Sequence, residues 1–333
     1  MLAHLSRHRS IASIGLVLAV VTGFEAKAQM SAPLVGLIAG GSTSPSEIRP
    51  VLGVLGAASI QAPVLLSREV SKIYLAPAGG WALVERRGGA PGLVTFKGSV
   101  PGAIQAIADA TPNPALVSFS TLGKAAALAT SGAIQVLTGL DAKPQVAFQV
   151  SFSDPSGVKK IALSDDGRLL AVLTAAGQVY VLSGSISPRL AYTGSASLGI
   201  AFLPGQSTAV IADSGSGMIE LASIVNGAPS VRTVAAGMSF SAGETLVEAS
   251  GDGASAFVVE SGGTSAFRVE LATGSTQTMT LPTAATRLDR LRDGESFVFS
   301  AEPGRSAWFL TGRDAGLQAV FAAAAATTEV SRQ

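Results

Sequence analysis

The stretch KKIALSDDGRLLAVLTAAGQVYVL, Lys159 to Leu182, holds three apolar runs separated by two turns. Ile161-Ala162-Leu163 reads as a short strand and Ser164-Asp165-Asp166-Gly167 as a turn. Leu169 to Thr174 is a second strand, almost wholly apolar; Ala176-Gly177 turns the chain again, and Gln178 to Leu182 alternates. The Asp-Gly pair has a physical task, because a two-residue hairpin turn needs positive φ at its centre and glycine adopts it without Cβ strain. An apolar run without alternation is expected of a strand covered on both faces.

Outward from this unit the pattern repeats. Gly80, Gly123, Gly167, Gly205, Gly253 and Gly294 each sit between short apolar runs, at intervals of 43, 44, 38, 48 and 41 residues. A period near 43 is that of a four-stranded propeller blade and is foreign to a β-sandwich. In five units a second glycine follows nine or ten residues later: Gly132, Gly177, Gly215, Gly263 and Gly304. In the first unit it is blurred into Arg86 to Gly92, where a longer loop is expected. Weaker fourth strands fall at Ala103 to Ala108, Val146 to Phe152, Leu190 to Tyr192, Arg232 to Val234, Gln277 to Leu281 and Leu317 to Phe321.

The fold class that follows is all-β, a single β-propeller of four-stranded antiparallel blades, seven in number, with six plus an N-terminal extension as the alternative. Six recognisable blades occupy residues 68–325. Residues 29–67 read as a degenerate blade or closing strands, and 326–333 as a C-terminal tail. Beyond a turn of helix at Asp109 to Pro114 and another in the alanine-rich end, no helix is expected.

The ends and the composition bound the chemistry. Arg7 and Arg9, an apolar core from Ile11 to Phe24, and Ala26-Lys27-Ala28 read as an export signal over residues 1–28, so a secreted or periplasmic location is expected. The apolar core is too short for a spanning helix, and no stable membrane anchor is expected once the signal is removed. Both histidines, His4 and His8, lie in that segment, and the chain has no cysteine. The remainder therefore has no imidazole for a Ser/His/Asp triad, no thiol nucleophile and no disulfide. It keeps 20 of the 23 basic and 21 of the 22 acidic residues, a balance that argues against nucleic acid as a partner.

The Ser164-Asp165-Asp166-Gly167 turn, followed by Leu169 to Leu173 and Val179-Tyr180-Val181-Leu182, resembles the repeat of bacterial YVTN-type and WD-repeat-like propellers. No Trp-Asp pair closes any unit. The resemblance implies a disc with a central channel, used mostly for binding and occasionally for catalysis on small molecules. Two functions are therefore carried forward. One is a non-catalytic extracytoplasmic module binding a protein, a glycan or an envelope component. The other is a lactone hydrolase-type enzyme acting on a small molecule in the channel.

In such a disc the loops leading into the inner strands share a face with the loops between second and third strands. Those loops carry Arg68, Arg86, Arg87, Asp154, Asp213, Glu244, Glu260, Glu302 and Arg305, the candidate binding-face residues. The bland reading is that loop charges are simply solvated. Glu248, Arg287, Asp289 and Arg290 fall on inner strands and are expected in the channel, with an arginine partnering a buried Asp289. Lys159 or Lys160 is expected to point the same way. Trp81 and Trp308 read as packing between blades. Asp166 is explained by its turn, and Asp213 to Gly217 offers a single carboxylate, too few for calcium. No catalytic residue, metal ligand or cofactor is assigned.

Overall fold

The computed structural model describes residues 32–40, 46–77, 79–184, 186–195, 197–225, 228–240, 243–302, 306–312 and 316–325. The signal segment, Gly304, Arg305 and the tail after 325 lie outside them. The described residues are all strand, turn and loop, with no helix among them.

The strands fall into seven consecutive groups. The first comprises β1 (Leu34–Ala39), β2 (Glu47–Leu52), β3 (Ser59–Ile60) and β4 (Val64–Leu65), with β3 and β4 both paired to β2. The second runs through β5 (Val70–Leu75), β6 (Trp81–Arg86), β7 (Gly92–Lys97), β8 (Val100–Pro101) and β9 (Gln105–Ala106). Four regular sheets follow. They are β10 (Leu116–Phe119) to β13 (Gln145–Ser151), through β11 (Ala125–Ala129) and β12 (Ala133–Thr138); and β14 (Val158–Leu163) to β17 (Ile186–Thr193), through β15 (Leu169–Thr174) and β16 (Gln178–Ser183). Next come β18 (Leu198–Phe202) to β21 (Ala228–Ala235), through β19 (Thr208–Asp213) and β20 (Met218–Val225); and β22 (Thr245–Ala249) to β25 (Thr276–Thr280), through β23 (Ser255–Glu260) and β24 (Ser265–Glu270). The seventh group is β26 (Asp289–Arg290), β27 (Ser296–Glu302), β28 (Ser306–Thr311) and β29 (Gln318–Ala324).

Within every group the pairing is antiparallel, strand to successive strand except that β4 pairs with β2 and β9 with β7, and seven blades fit the arrangement. The ring is closed where β29 lies parallel to β3, Ala323 opposite Ser59 and Ala324 opposite Ile60. The Ala325 N–H then donates to the Ile60 carbonyl at 2.8 Å. A strand late in the chain thus shields the edge of the first group, which would otherwise be an open template. The alanine-rich end is accordingly a strand, not a turn of helix; pairing overrides the weak strand preference of alanine.

The core is distributed as seven apolar clusters, each formed by two neighbouring groups, with the last joining the seventh group to the first through Leu291, Phe309, Ile38 and Val51. Middle strands are covered on both faces, as their unbroken apolar runs require: β11 and β23 are buried at every position. Trp81 packs edge-on against Phe119 of the next group, ring centres 5.1 Å apart. Trp308 lies against Phe321 of its own group at 5.0 Å and joins the cluster shared with the sixth.

The tight turns differ from the expected two-residue form. In the turn after β14 only Gly167 has positive φ (68°), and its N–H donates to the Ser164 carbonyl at 2.9 Å. Asp166 shapes the turn with its side chain, accepting from Ser164 Oγ at 2.6 Å and the Arg168 N–H at 3.0 Å. After β5 the corresponding positive-φ residue is Gly79, not Gly80. The loop between β6 and β7 is longer than its counterparts in the five groups that follow, as expected.

Candidate functional site

β10, β14, β18 and β22 each stand at the end of their sheet's strand order, with one side of the backbone ladder unpaired. Residues of β1, β5, β10, β14, β18, β22 and β26, one strand from each group, line a single cavity of about 490 Å³. The cavity combines apolar side chains and a few hydroxyls with an ionisable set: Tyr74, Lys160, Glu248, Arg287, Asp289, Arg290 and Arg292.

Arg290 anchors this set. Its side chain is 4% exposed and reaches Glu248 Oε2 of the neighbouring group at 3.4 Å. It also donates to the carbonyls of Ala249 and of Gly294, the latter at 3.1 Å, and its guanidinium lies 5.4 Å from the centre of the Phe297 ring. Arg287 pairs with Asp289 and donates to the Ala39 carbonyl at 3.2 Å, joining the seventh group to the first. Asp289 thus has an arginine partner, but its side chain is 48% exposed, not buried as expected. Its backbone pairs with Val298.

Burial pushes the Glu248 carboxyl above the usual carboxylate range, against the opposing pull of Arg290 and Lys160. Burial likewise pulls the Lys160 ammonium below the usual lysine value, although Glu248, Glu244 and Asp289 act to raise it. Tyr74 donates to Glu85 Oε1 at 2.5 Å, and burial together with that carboxylate raises its phenol well above the ordinary tyrosine value.

The loop residues named from sequence are distributed differently. Arg68 and Arg87 are exposed; Arg86 pairs with Glu69 at 3.1 Å, and the Arg87 N–H donates to the Glu69 carbonyl. Asp154 accepts from the N–H and Oγ of Ser156, and Glu244 is exposed with its carbonyl accepting from the Ser261 N–H. Each leading loop is thus tied to the second turn of its own group in at least these two cases. None of Arg68, Arg86, Arg87, Asp154, Asp213, Glu244 and Glu260 lines the cavity. Glu302 closes β27, and Arg305 lies outside the described residues.

Two of these residues are not solvated charges. Glu260 is fully buried at the end of β23. Asp213, 2% exposed, accepts from Ser195 Oγ at 2.5 Å and the Tyr192 hydroxyl at 3.0 Å. Burial works against its charge, yet hydrogen bonds from Ser195, Ser216, Tyr192 and the Gly215 N–H outweigh burial and hold its carboxyl below the usual value. Burial and that carboxylate push the Tyr192 phenol up to about 12.

Among the cavity residues, Glu248, Asp289 and Arg290 were legible as charges on inner strands and one of the two lysines as a charge leading into one; Arg287, expected on an inner strand, lies just before β26. Tyr74 and Arg292 were not, because an aromatic or a loop arginine is ordinary in such positions. Among the described residues no group of three or more His, Cys, Asp or Glu is placed to hold a metal, and no helix is long and apolar enough to cross a membrane.

No family model and no curated protein matches the chain. Solved structures do. A functionally unknown protein from Desulfotomaculum acetoxidans superposes with a TM-score of 0.59 at 13% identity, over 87% of this chain and 99% of that one. A Bacteroides fragilis protein proposed to be a 6-phosphogluconolactonase gives 0.56 at 12% identity, over 88% and 95%. A chain of hydrazine synthase from Kuenenia stuttgartiensis gives 0.54 at 12% identity, over 90% and 99%. At these identities the likeness shows the β-propeller fold alone.

Proposed function

We propose that this protein is a non-catalytic, extracytoplasmic β-propeller that acts as a binding module for a protein, a glycan or another envelope component. The observation that supports the reading most is the convergence of seven groups on one cavity whose carboxylates already have arginine partners. Such pairing suits a preformed recognition surface, since paired charges keep their geometry without a ligand. The sequence adds that both histidines lie at positions 4 and 8 and that there is no cysteine, which leaves residues 29–333 without the imidazole of a Ser–His pair or the thiol of a Cys–His pair.

The test has two readouts. Mass spectrometry of the exported protein should find its N-terminus at Gln29; an intact Met1 in the envelope fraction would oppose the location. Thermal denaturation across a panel of oligosaccharides and envelope peptides should raise the midpoint with at least one of them and produce no turnover.

A second reading is favoured by one feature. Glu248 is a carboxyl with a raised pKa in a cavity, which is the environment of a general acid or base. Lactone opening by the protein, followed by pH-stat and abolished in Glu248→Gln, would replace the binding module with a hydrolase of the small-molecule type.

A further inference from the structure

We propose that the cavity is a binding site for a small oxyanion-bearing molecule, a carboxylate or a phosphate ester, whose charge is met by the ammonium of Lys160. The inference rests on the binding-module reading and names the ligand class of that site.

Charge arithmetic within the cavity carries the argument. Four cations line it, Lys160, Arg287, Arg290 and Arg292, against the carboxylates of Glu248 and Asp289. Each carboxylate is taken by an arginine, Glu248 by Arg290 and Asp289 by Arg287. Neither Lys160 nor Arg292 has an ion-pair partner among the described residues. Arg292 is exposed, whereas Lys160 is half-buried on an inner strand.

An ammonium withdrawn from water without a contact partner is unfavourable unless something supplies the missing charge. The carboxylates that act on Lys160, those of Glu248, Glu244 and Asp289, act without forming an ion pair with it. An oxyanion in the cavity would supply a direct contact. The inner strands offer a second recognition element, because their unpaired ladder edges present backbone N–H groups toward the same space. A volume of about 490 Å³ falls within the range of about 300–1,000 Å³ for small-molecule sites.

The experiment is calorimetric titration of the purified full chain with sodium succinate, inorganic phosphate and, as a neutral probe, glucose. Succinate or phosphate should bind, and the arm that responds more strongly identifies carboxylate or phosphate as the preferred source. Lys160→Met should weaken that binding by about tenfold or more, and Lys160→Arg should retain most of it. Lys143→Met, an exposed lysine outside the cavity, should leave it unchanged. Lys160→Gln serves in place of Lys160→Met should the latter not fold.

The proposal is overturned if neither anion binds the wild-type chain, or if Lys160→Met and Lys160→Gln bind as tightly as wild type. It is equally overturned if Lys143→Met weakens binding as much as Lys160→Met. Glucose binding that survives Lys160→Met, with no anion binding, would remove the oxyanion inference while leaving the binding module standing.

Discussion

The carboxylate of Asp165 accepts the backbone N–H of Gly205 at 2.7 Å, although the two residues belong to turns of successive strand groups. Its other oxygen accepts the N–H of Leu122, in the turn of the preceding group, also at 2.7 Å. One residue, 8% exposed, therefore ties three turns together. Removing it leaves two backbone donors without their acceptor. Asp165→Ala is expected to destabilise the protein by about 3–6 kcal/mol, since each of the two hydrogen bonds to a charged group contributes ~1.5–3 kcal/mol. Asp165→Asn keeps one good acceptor and should lose about half as much. Urea midpoints at constant m-value measure both, and equal losses for the two variants would contradict the two-bond account.

Gly199 and Gly205 test two different reasons for glycine. Gly199 lies in β18 with ordinary φ, but an added Cβ would meet the Thr245 carbonyl oxygen at 2.8 Å and Val247 Cγ1 at 3.0 Å in the next group. Gly205 has φ +63° and open space around the missing Cβ. Gly199→Ala should cost about 1–3 kcal/mol through overpacking. Gly205→Ala should cost about 1–2 kcal/mol through backbone strain alone. Asparagine separates the causes, because it tolerates the left-handed region: Gly205→Asn should be milder than Gly205→Ala, and Gly199→Asn worse than Gly199→Ala. The opposite ranking at either site would assign the wrong cause.

The repeat was legible because its turns admit so few residues. Gly123, Gly167, Gly205, Gly253 and Gly294 all have positive φ, so the period could be read from one residue type. The second strand of the clearest unit, Leu169 to Thr174, coincides with β15 because a short apolar run without alternation, bounded by glycine turns, suits a strand covered on both faces. The cavity charges were legible for the converse reason, since Glu248 and Arg290 fall on apolar inner strands and Lys160 leads into one. What was not legible depends on contacts between groups. Asp165 reads as one more turn residue until Leu122 and Gly205, 43 and 40 positions away, are brought beside it. Asp213 and Glu260 read as loop charges, and only the packing around them decides that they are buried. The parallel pairing of β29 with β3 joins segments far apart in the chain, and an alanine run carries no signal for it.

That pairing predicts the behaviour of a shortened chain. Truncation after Gly316 removes β29, with it the contact of Phe321 on Trp308 and the buried Ala322, and uncovers the edges of both β28 and β3. Exposed edges of this kind pair with other chains. The truncated protein should lose about 10 °C or more in thermal midpoint and self-associate in size-exclusion chromatography. A truncated monomer with an unchanged midpoint would show that the ring does not depend on this closure.

Lys160 and Glu248 answer to pH in opposite senses because the same burial disfavours both charges. The Lys160 value is depressed in the folded protein, so its contribution to stability is present above its ordinary 10.5 and lost as pH falls through the depressed value. The Glu248 value is raised, so its contribution is present below its ordinary 4.5 and lost as pH rises through the raised value. The charged groups that act on them are Glu244, Asp289 and Arg290, besides each other. Replacing Lys160 by methionine removes the first dependence. Relative to wild type, Lys160→Met should therefore gain stability as pH is lowered from above 10.5 toward neutrality. Glu248→Gln should gain relative to wild type as pH is raised from below 4.5, offset by the loss of the Arg290 ion pair. Urea titrations at a series of pH values measure these differences. A Lys160→Met difference that stays constant with pH would mean that the lysine is as well solvated in the folded chain as in the unfolded one.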